Sequence, residues 1–469
     1  MLLDRTSVLF KYPEYTFESP AQFDNEFITP LTDDYCLIRK KETINTLEEV
    51  KIAVIGNVDA GKSTILGVLT KGKLDDGRGK AREVLFNHKH ELISGRTSSI
   101  GMECMGFNEY GQQVLKGDHH KMSWDQLALS SSKLITFSDL AGHERYLKTT
   151  VYGLSSSQPD YAMLMVGANA GMIGMTKEHL GLTLLLQIPS IIVITKIDMA
   201  PANVLKSTIS QLSKILKSQG CRKLPFFIKS KNDVIKTALN FTGERICPIF
   251  MVSNVTGEGI DLLRLFLNVV PSRIANEQTV LMGNGPVEFE ITESFSVPGV
   301  GCVVSGHLLS GTVKLGDTLL LGPDKNGIFV ATQIKGIHRK RVPISIATPG
   351  QGVSFALKKI KRTQIRKGMV LLSKDVDYAS HVTREFEAEI LVLHHSTTIA
   401  VNYQTMLHSR NVRQTCQIMS MSQPLIRNGD KSVVRMRFIS HPEYLNVDMK
   451  ILFREGRTKG TGKIMRLLQ

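Results

Sequence analysis

Cysteine is scarce and unpatterned in this chain. The six in 469 residues, Cys36, Cys104, Cys221, Cys247, Cys302 and Cys416, form no C-x-x-C pair. That spacing gives neither a zinc site nor a disulfide framework, and it fits reduced, mostly buried thiols of the cytosol. Long apolar runs are missing too. The nearest, over 180–195, is broken by Gln187 and Pro189, short of the ~18 uninterrupted apolar residues a membrane span needs. The opening Met1-Leu2-Leu3-Asp4-Arg5 carries charge at once and has no apolar centre, so no secretory signal is expected. These absences point to a cytoplasmic chain without a membrane partner.

Charge is in excess and uneven. The formal net charge is +15. Residues 286–469 hold 26 Lys and Arg against 14 Asp and Glu, whereas residues 1–49 hold 5 against 10. The basic surface is therefore expected in the C-terminal part, where a polyanion such as RNA is the natural partner.

Texture divides the rest. Residues 1–49 contain Pro13, Pro20 and Pro30 and no sustained period, and read as a weakly structured acidic arm. Over 50–275, apolar runs (52–55, 134–138, 162–166, 191–195, 249–252) alternate with helical patterns (177–186, 202–217, 259–269). That alternation predicts a mostly parallel α/β sheet with its ligand at the carboxyl ends of the strands. From about 286 onward, short alternating runs are punctuated by glycine every ten residues or so, which predicts two small all-β barrels, over 286–375 and 383–469. The expected fold class is an α/β P-loop domain followed by those two barrels.

Four motifs fall at strand ends. Gly56-Asn57-Val58-Asp59-Ala60-Gly61-Lys62-Ser63, followed by Thr64 and a helical run, is a complete phosphate-binding loop. Its amides and helix N-terminus suit a β-phosphate, Lys62 spans the β- and γ-phosphates, and the Ser63 hydroxyl suits Mg²⁺. Asp139, ending a strand, is placed to orient Mg²⁺. Gly142 can offer its amide to the γ-phosphate, and His143 can orient the attacking water. In Thr195-Lys196-Ile197-Asp198 the Asp198 carboxylate can accept both N1–H and the 2-amino group of guanine, donors that adenine lacks, while the Lys196 stem covers the base. Ser253, Asn254 and Val255 would close the base pocket. A second Mg²⁺ hydroxyl is expected from 95–101, with Ser99 first and Thr97 second. The catalytic set is then His143, Lys62 and Asp139, and the cofactors are GTP or GDP with Mg²⁺. Residues 108–132, with the single tryptophan Trp124, read as an insertion without an assigned role.

Together these motifs resemble the G domain of translational GTPases. The resemblance extends through 297–306 and 311–317, similar to the second-domain barrel of elongation factors Tu and 1-alpha, and to 453–462, similar to the close of their third domain. Residues 57–61, 95–99, 139–144 and 338–341 look most like the GTP-binding protein 1 (GP-1) group. Departures from the elongation factors are Asn57 for histidine, Ala141 for proline, Thr195 for asparagine, and the absence of an Arg-Gly-Ile-Thr-Ile run. The resemblance implies GTP hydrolysis to GDP and phosphate by a monomer that works on aminoacyl-tRNA or the ribosome, in elongation, rescue or mRNA surveillance. It also implies that the aminoacyl end of tRNA lies near Glu293 and Phe295.

The basic runs fit such partners: 338–341, 358–362 and 366–367 in the first barrel, and Arg410, Arg413, Arg435, Arg437, Arg454, Arg457 and Lys459 in the second. Alternate residues of a strand share a face, so Arg435 and Arg437 are expected on one side. The competing expectation is a GTP-regulated RNA-binding adaptor of the mRNA decay machinery, with incidental hydrolysis and with 1–49 and 108–132 as recruiting surfaces.

Overall fold

The computed structural model describes residues 7–11, 21–23, 26–32, 35–40, 43–83, 85, 91, 97, 100–115, 122–241, 245–273, 285–455 and 458–468. The chain forms two compact units, Met1–Leu154 with Pro159–Arg273, and Ser155–Gln158 with Ile274–Gln469.

In the first unit an eight-stranded sheet runs Leu224–Phe227, Ile246–Met251, Ser190–Thr195, Tyr161–Gly167, Glu48–Gly56, Lys133–Asp139, Gly101–Phe107, Gln113–Val114. The first six strands are parallel, and the last two form an antiparallel hairpin on the edge. Lys133–Asp139, Tyr161–Gly167 and Ser190–Thr195 are buried at every residue. Strands covered on both faces read as continuous apolar runs, which is why the sequence displays them so plainly. The helices Lys62–Lys71, Gly174–Leu185 and Ala202–Lys217 connect strand to strand, and Ile260–Val269 follows the last strand of the sheet. All four nucleotide motifs thereby reach one edge of the sheet.

The arm expected over residues 1–49 is corrected. Ser7–Lys11, Ala21–Phe23, Glu26–Thr32 and Tyr35–Lys40 make a four-stranded antiparallel sheet. Phe27, Cys36 and Leu37 are buried, and Phe27 packs edge-on against Tyr110 with centroids 5.1 Å apart. Arg39, fully buried, donates to Asn108 O and to both Asn268 O and Asn268 Oδ1. Pro30 hid this sheet from a period search. It sits beside a bulge and beyond the pairing of Ala21–Phe23, where a missing N–H costs little. Of the insertion expected at 108–132, the described residues form a turn and strand of the edge hairpin and the helix Trp124–Leu129, while 116–121 lie outside the described residues.

The second unit holds two six-stranded barrels. One closes through Thr318–Gly322, Val370–Leu372, Glu288–Val297, Gly301–Ser310, Gly352–Leu357 and Val330–Arg339. The other closes through Glu385–His394, Lys431–Phe438, Val412–Met421, Gln404–Ser409, Lys450–Glu455 and Thr458–Leu468. Strict alternation of exposed and buried residues along Lys431–Phe438 gives a barrel strand with one wet face. The six cysteines are free thiols and five of them are buried. Among the described residues no helix is long and apolar enough to cross a membrane.

Arginines tie the barrels together. Arg366 Nη1 donates to Glu443 Oε2 at 2.6 Å, and its Nη2 donates to Pro323 O and Pro442 O. Glu443 is buried, with Gln414 donating to its other oxygen at 2.9 Å. Removing one partner strands the other charge away from water, so Arg366→Ala is expected to cost about 3–5 kcal/mol. Denaturant titration of the full chain checks this. A change below about 1 kcal/mol would mean that Gln414 and His441 suffice for Glu443.

Candidate nucleotide-binding site

Strand Glu48–Gly56 delivers the loop, and helix Lys62–Lys71 begins where the loop closes. Gly56 and Gly61 adopt φ of 143° and 80°, a region that favours glycine. A Cβ on Gly56 would stand 2.5 Å from Met165 O. Lys62 Nζ folds back and donates to Asn57 O at 2.7 Å and Gly56 O at 3.2 Å, spanning the loop's mouth. Burial holds the Lys62 amine below the usual lysine range, while the nearby Asp139 and Asp59 charges oppose that. A polyanion beside it would favour its charged form.

Strand Lys133–Asp139 brings Asp139 to the same place. Ser63 Oγ donates to Asp139 Oδ2 at 2.6 Å, and Thr97 Oγ1 lies 3.0 Å from Ser63 Oγ and 3.3 Å from Asp139 Oδ2. Burial raises the Asp139 carboxyl, with Lys62 and the two hydroxyls pulling it back. Its Oδ1 is buried and has no hydrogen-bond partner among the described residues. Two hydroxyls and a carboxylate with a spare oxygen fit a hard divalent cation. Thr97, the second choice from the sequence, stands in this cluster; Ser99, the first, lies outside the described residues.

At Gly142 the chain has no room for a side chain. A Cβ on Gly142 would meet Lys62 Nζ at 2.4 Å and Gly56 O at 2.6 Å. His143 is exposed; its Nδ1 accepts from Arg145 N–H at 3.1 Å, and its ring stands edge-on to Tyr146. Val58, Asp59 and residues 61–64 line one cleft with Thr97, Gly142 and His143, and with Arg82, which no motif foretold.

The base side is built by strands Ser190–Thr195 and Ile246–Met251. Thr195, fully buried, donates its hydroxyl to Ala60 O at 3.0 Å, so it braces the phosphate loop instead of facing a nucleotide. Lys196 turns the chain with φ 60°, and Asp198 follows, exposed. Ser253 Oγ accepts from Val255 N–H and Thr256 N–H, which fixes that turn. Asn254 Oδ1 is buried without a partner among the described residues. A further brace escaped sequence reasoning: Gly56 N–H donates to His179 Nδ1 at 3.0 Å across 123 positions. A lone histidine inside a helix gives no local sign of that.

The basic residues of the second unit differ in what surrounds them. Arg435 and Arg437 do share an exposed face, but Glu385 opposite accepts from Arg435 Nε at 2.8 Å and stands 3.6 Å from Arg437, and Lys431 meets Glu389. Arg410 is held by Glu288 and Glu290, the latter buried and pushed up to about 7 by that burial. Arg457 lies outside the described residues. In the first barrel, by contrast, Lys358, Lys359, Lys361, Arg362 and Lys367 are all exposed. Phe295 is 43% exposed on strand Glu288–Val297, two residues past the exposed Glu293.

Residues 48–272 match the family model described as elongation factor Tu GTP binding domain, and residues 301–372 match elongation factor Tu domain 2. GTP-binding protein 1 of Xenopus laevis is 56% identical over 438 residues, 93% of this chain and 66% of that protein. GTP-binding protein 2 of Homo sapiens is 42% identical over 449 residues, 95% of this chain and 74% of that protein. The chain thus spans about two thirds to three quarters of these relatives' length. The GTP-bound GTPase-like domain of S. cerevisiae Ski7 superposes with a TM-score of 0.65 at 15% identity, covering 90% of this chain and 98% of that one, a likeness of fold alone. With the loop, the Ser63–Thr97–Asp139 cluster and the Asp198 and Ser253 turns at the strand ends, this chain belongs to the translational GTPases, whose members hydrolyse GTP, alongside GTP-binding proteins 1 and 2.

Proposed function

We propose that this chain hydrolyses GTP to GDP and phosphate in the cytosol, and that its GTP form engages aminoacyl-tRNA or the ribosome while its GDP form releases it. The observation that carries the reading is the convergence of Lys62, Ser63, Thr97, Asp139, Gly142 and His143 on one cleft. Lys62 and the loop amides hold the phosphates, and the Gly142 amide is the donor nearest the third. Mg²⁺, held by Ser63, Thr97 and Asp139, would supply neutralisation of phosphate charge. His143 has Nδ1 committed to Arg145 N–H, which leaves Nε2 as the ring atom to position water. Thr97 joins a switch segment to this cluster, so its bond is the one that GTP hydrolysis would loosen.

For the RNA partner, the support is the exposed basic run 358–367 together with Phe295, an aromatic face of the kind on which a base stacks. The adaptor reading makes residues 1–49 and 108–132 its recruiting surfaces, and Arg39 joins the two by donating to Asn108 O. Affinity for aminoacyl-tRNA and for deacylated tRNA, each with a non-hydrolysable GTP analogue and with GDP, tests the proposal. Tight binding confined to the charged tRNA in the GTP form is expected, with Phe295→Ala weakening it about tenfold. Indifference to both the charged end and the nucleotide would overturn it in favour of the adaptor.

A further inference from the structure

Arg82 stands on the short helix Lys80–Glu83, outside every GTP-binding motif, yet its side chain lines the same cleft as Lys62, Ser63, Thr97, Gly142 and His143. It is half-buried, and its guanidinium has no hydrogen-bond or ion-pair partner among the described residues. The other arginines that shape this protein, Arg39, Arg366 and Arg410, are each held by carbonyls or carboxylates. An arginine kept at a phosphate cleft with its donors unspent calls for an oxyanion.

Its position is built and not incidental. Asp75, 8% exposed, gathers the preceding loop: Oδ2 accepts from Gly77 N–H at 3.0 Å and Gly79 N–H at 3.1 Å, and Oδ1 accepts from Ala81 N–H at 2.9 Å. The Asp75 N–H donates to Asn254 O at 2.9 Å, which hangs the loop on the turn of the base pocket. At its other end Ala81 O presses onto Gly67 of helix Lys62–Lys71, where a Cβ would come within 2.0 Å. The guanidinium lies across Gly79, φ 91°; a Cβ there would stand 2.7 Å from Arg82 Nε. A continuous path of hydrogen bonds and close contacts thus runs from the guanine-side turn to Arg82.

We propose that Arg82 is a catalytic residue acting in cis, whose N–H fork binds oxygens of the γ-phosphate of GTP and offsets the charge that grows at the β–γ bridge during hydrolysis. The inference rests on the GTPase reading above. In that step the water oxygen bonds to the γ-phosphorus, and the bond to the bridging oxygen breaks with its electron pair passing to GDP. The water's proton goes to the released phosphate. Arg82 exchanges no atom and stays protonated throughout.

Single-turnover GTP hydrolysis, and GDP affinity with and without aluminium fluoride, test this in the full chain, in Arg82→Ala and in Arg82→Lys. Arg82→Ala is expected to slow turnover by at least about 100-fold, to change GDP affinity by no more than about threefold, and to lose the fluoride-dependent gain in GDP affinity. Arg82→Lys keeps the charge but not the fork, and should fall between. Millimolar guanidinium should partly restore Arg82→Ala alone. An Arg82→Ala rate within about threefold of the parent, with the fluoride gain intact, overturns the proposal. So does loss of GDP affinity in both variants, which would make Arg82 a structural brace. Failure of the parent protein to bind or hydrolyse GTP would instead sink the GTPase reading, and shows before any variant is made.

Discussion

His143→Ala is expected to bind GTP and GDP within about threefold of the parent and to lose roughly 10²–10⁴ of its stimulated turnover. The separation follows from where the side chain stands. His143 is exposed at the rim of the cleft, and the groups that hold phosphate, the loop amides and Lys62, have their own anchors at Gly56 O, Asn57 O and Ala60 O. Removing the imidazole leaves those anchors untouched, and affinity with them. What disappears is an oriented ring nitrogen: Arg145 N–H fixes Nδ1, and Tyr146 limits the ring's swing. Fluorescent-nucleotide titration and stimulated hydrolysis, measured side by side, check both halves. A stimulated rate equal to the parent's would assign the water to another polar group of the same cleft, with Thr97 and Arg82 the first to examine.

Much of the nucleotide site was legible because its demands are local. Gly56, Gly61, Lys62 and Ser63 must be adjacent in sequence for one loop to close around a phosphate, and Asp139 and Thr195 announce themselves by ending buried strands. What stayed hidden depends on long-range pairing. His179 reaches Gly56 from a helix whose pattern would read the same with any buried residue there. The contact between Thr97 and Ser63, 34 positions apart, leaves no local sign in the sequence. The basic face of Arg435 and Arg437 was visible from strand alternation, but its neutralisation by Glu385 comes from the register of a neighbouring strand. Arg82 is the sharpest case. Its loop is organised by Asp75, which looks like any surface aspartate until its oxygens are seen capping three amides. The N-terminal sheet escaped because its strands are short and Pro30 sits inside one of them, so no alternation is sustained long enough to stand out.

Asp198→Asn should lower GTP affinity by at least about 100-fold and raise XTP affinity above it. A carboxylate that accepts two adjacent guanine donors forms a charge-assisted pair worth about 3 kcal/mol against an imperfect partner. Xanthine replaces the 2-amino donor by a carbonyl, which an asparagine amide can satisfy and an aspartate repels. The exchange isolates base reading from folding because the local frame does not depend on the carboxylate. Asp198 is exposed, whereas the turn is held from below by Thr195 on Ala60 O and by the Ser253 hydroxyl on Val255 and Thr256. The same frame explains why threonine can stand where the elongation factors have asparagine: at 195 the need is one hydroxyl that reaches the phosphate loop. Competition of GTP, XTP and ATP against a fluorescent GDP reads the outcome directly. Unchanged GTP affinity would remove Asp198 from the pocket. It would leave Asn254, whose buried Oδ1 has no partner among the described residues, as the group that reads the base.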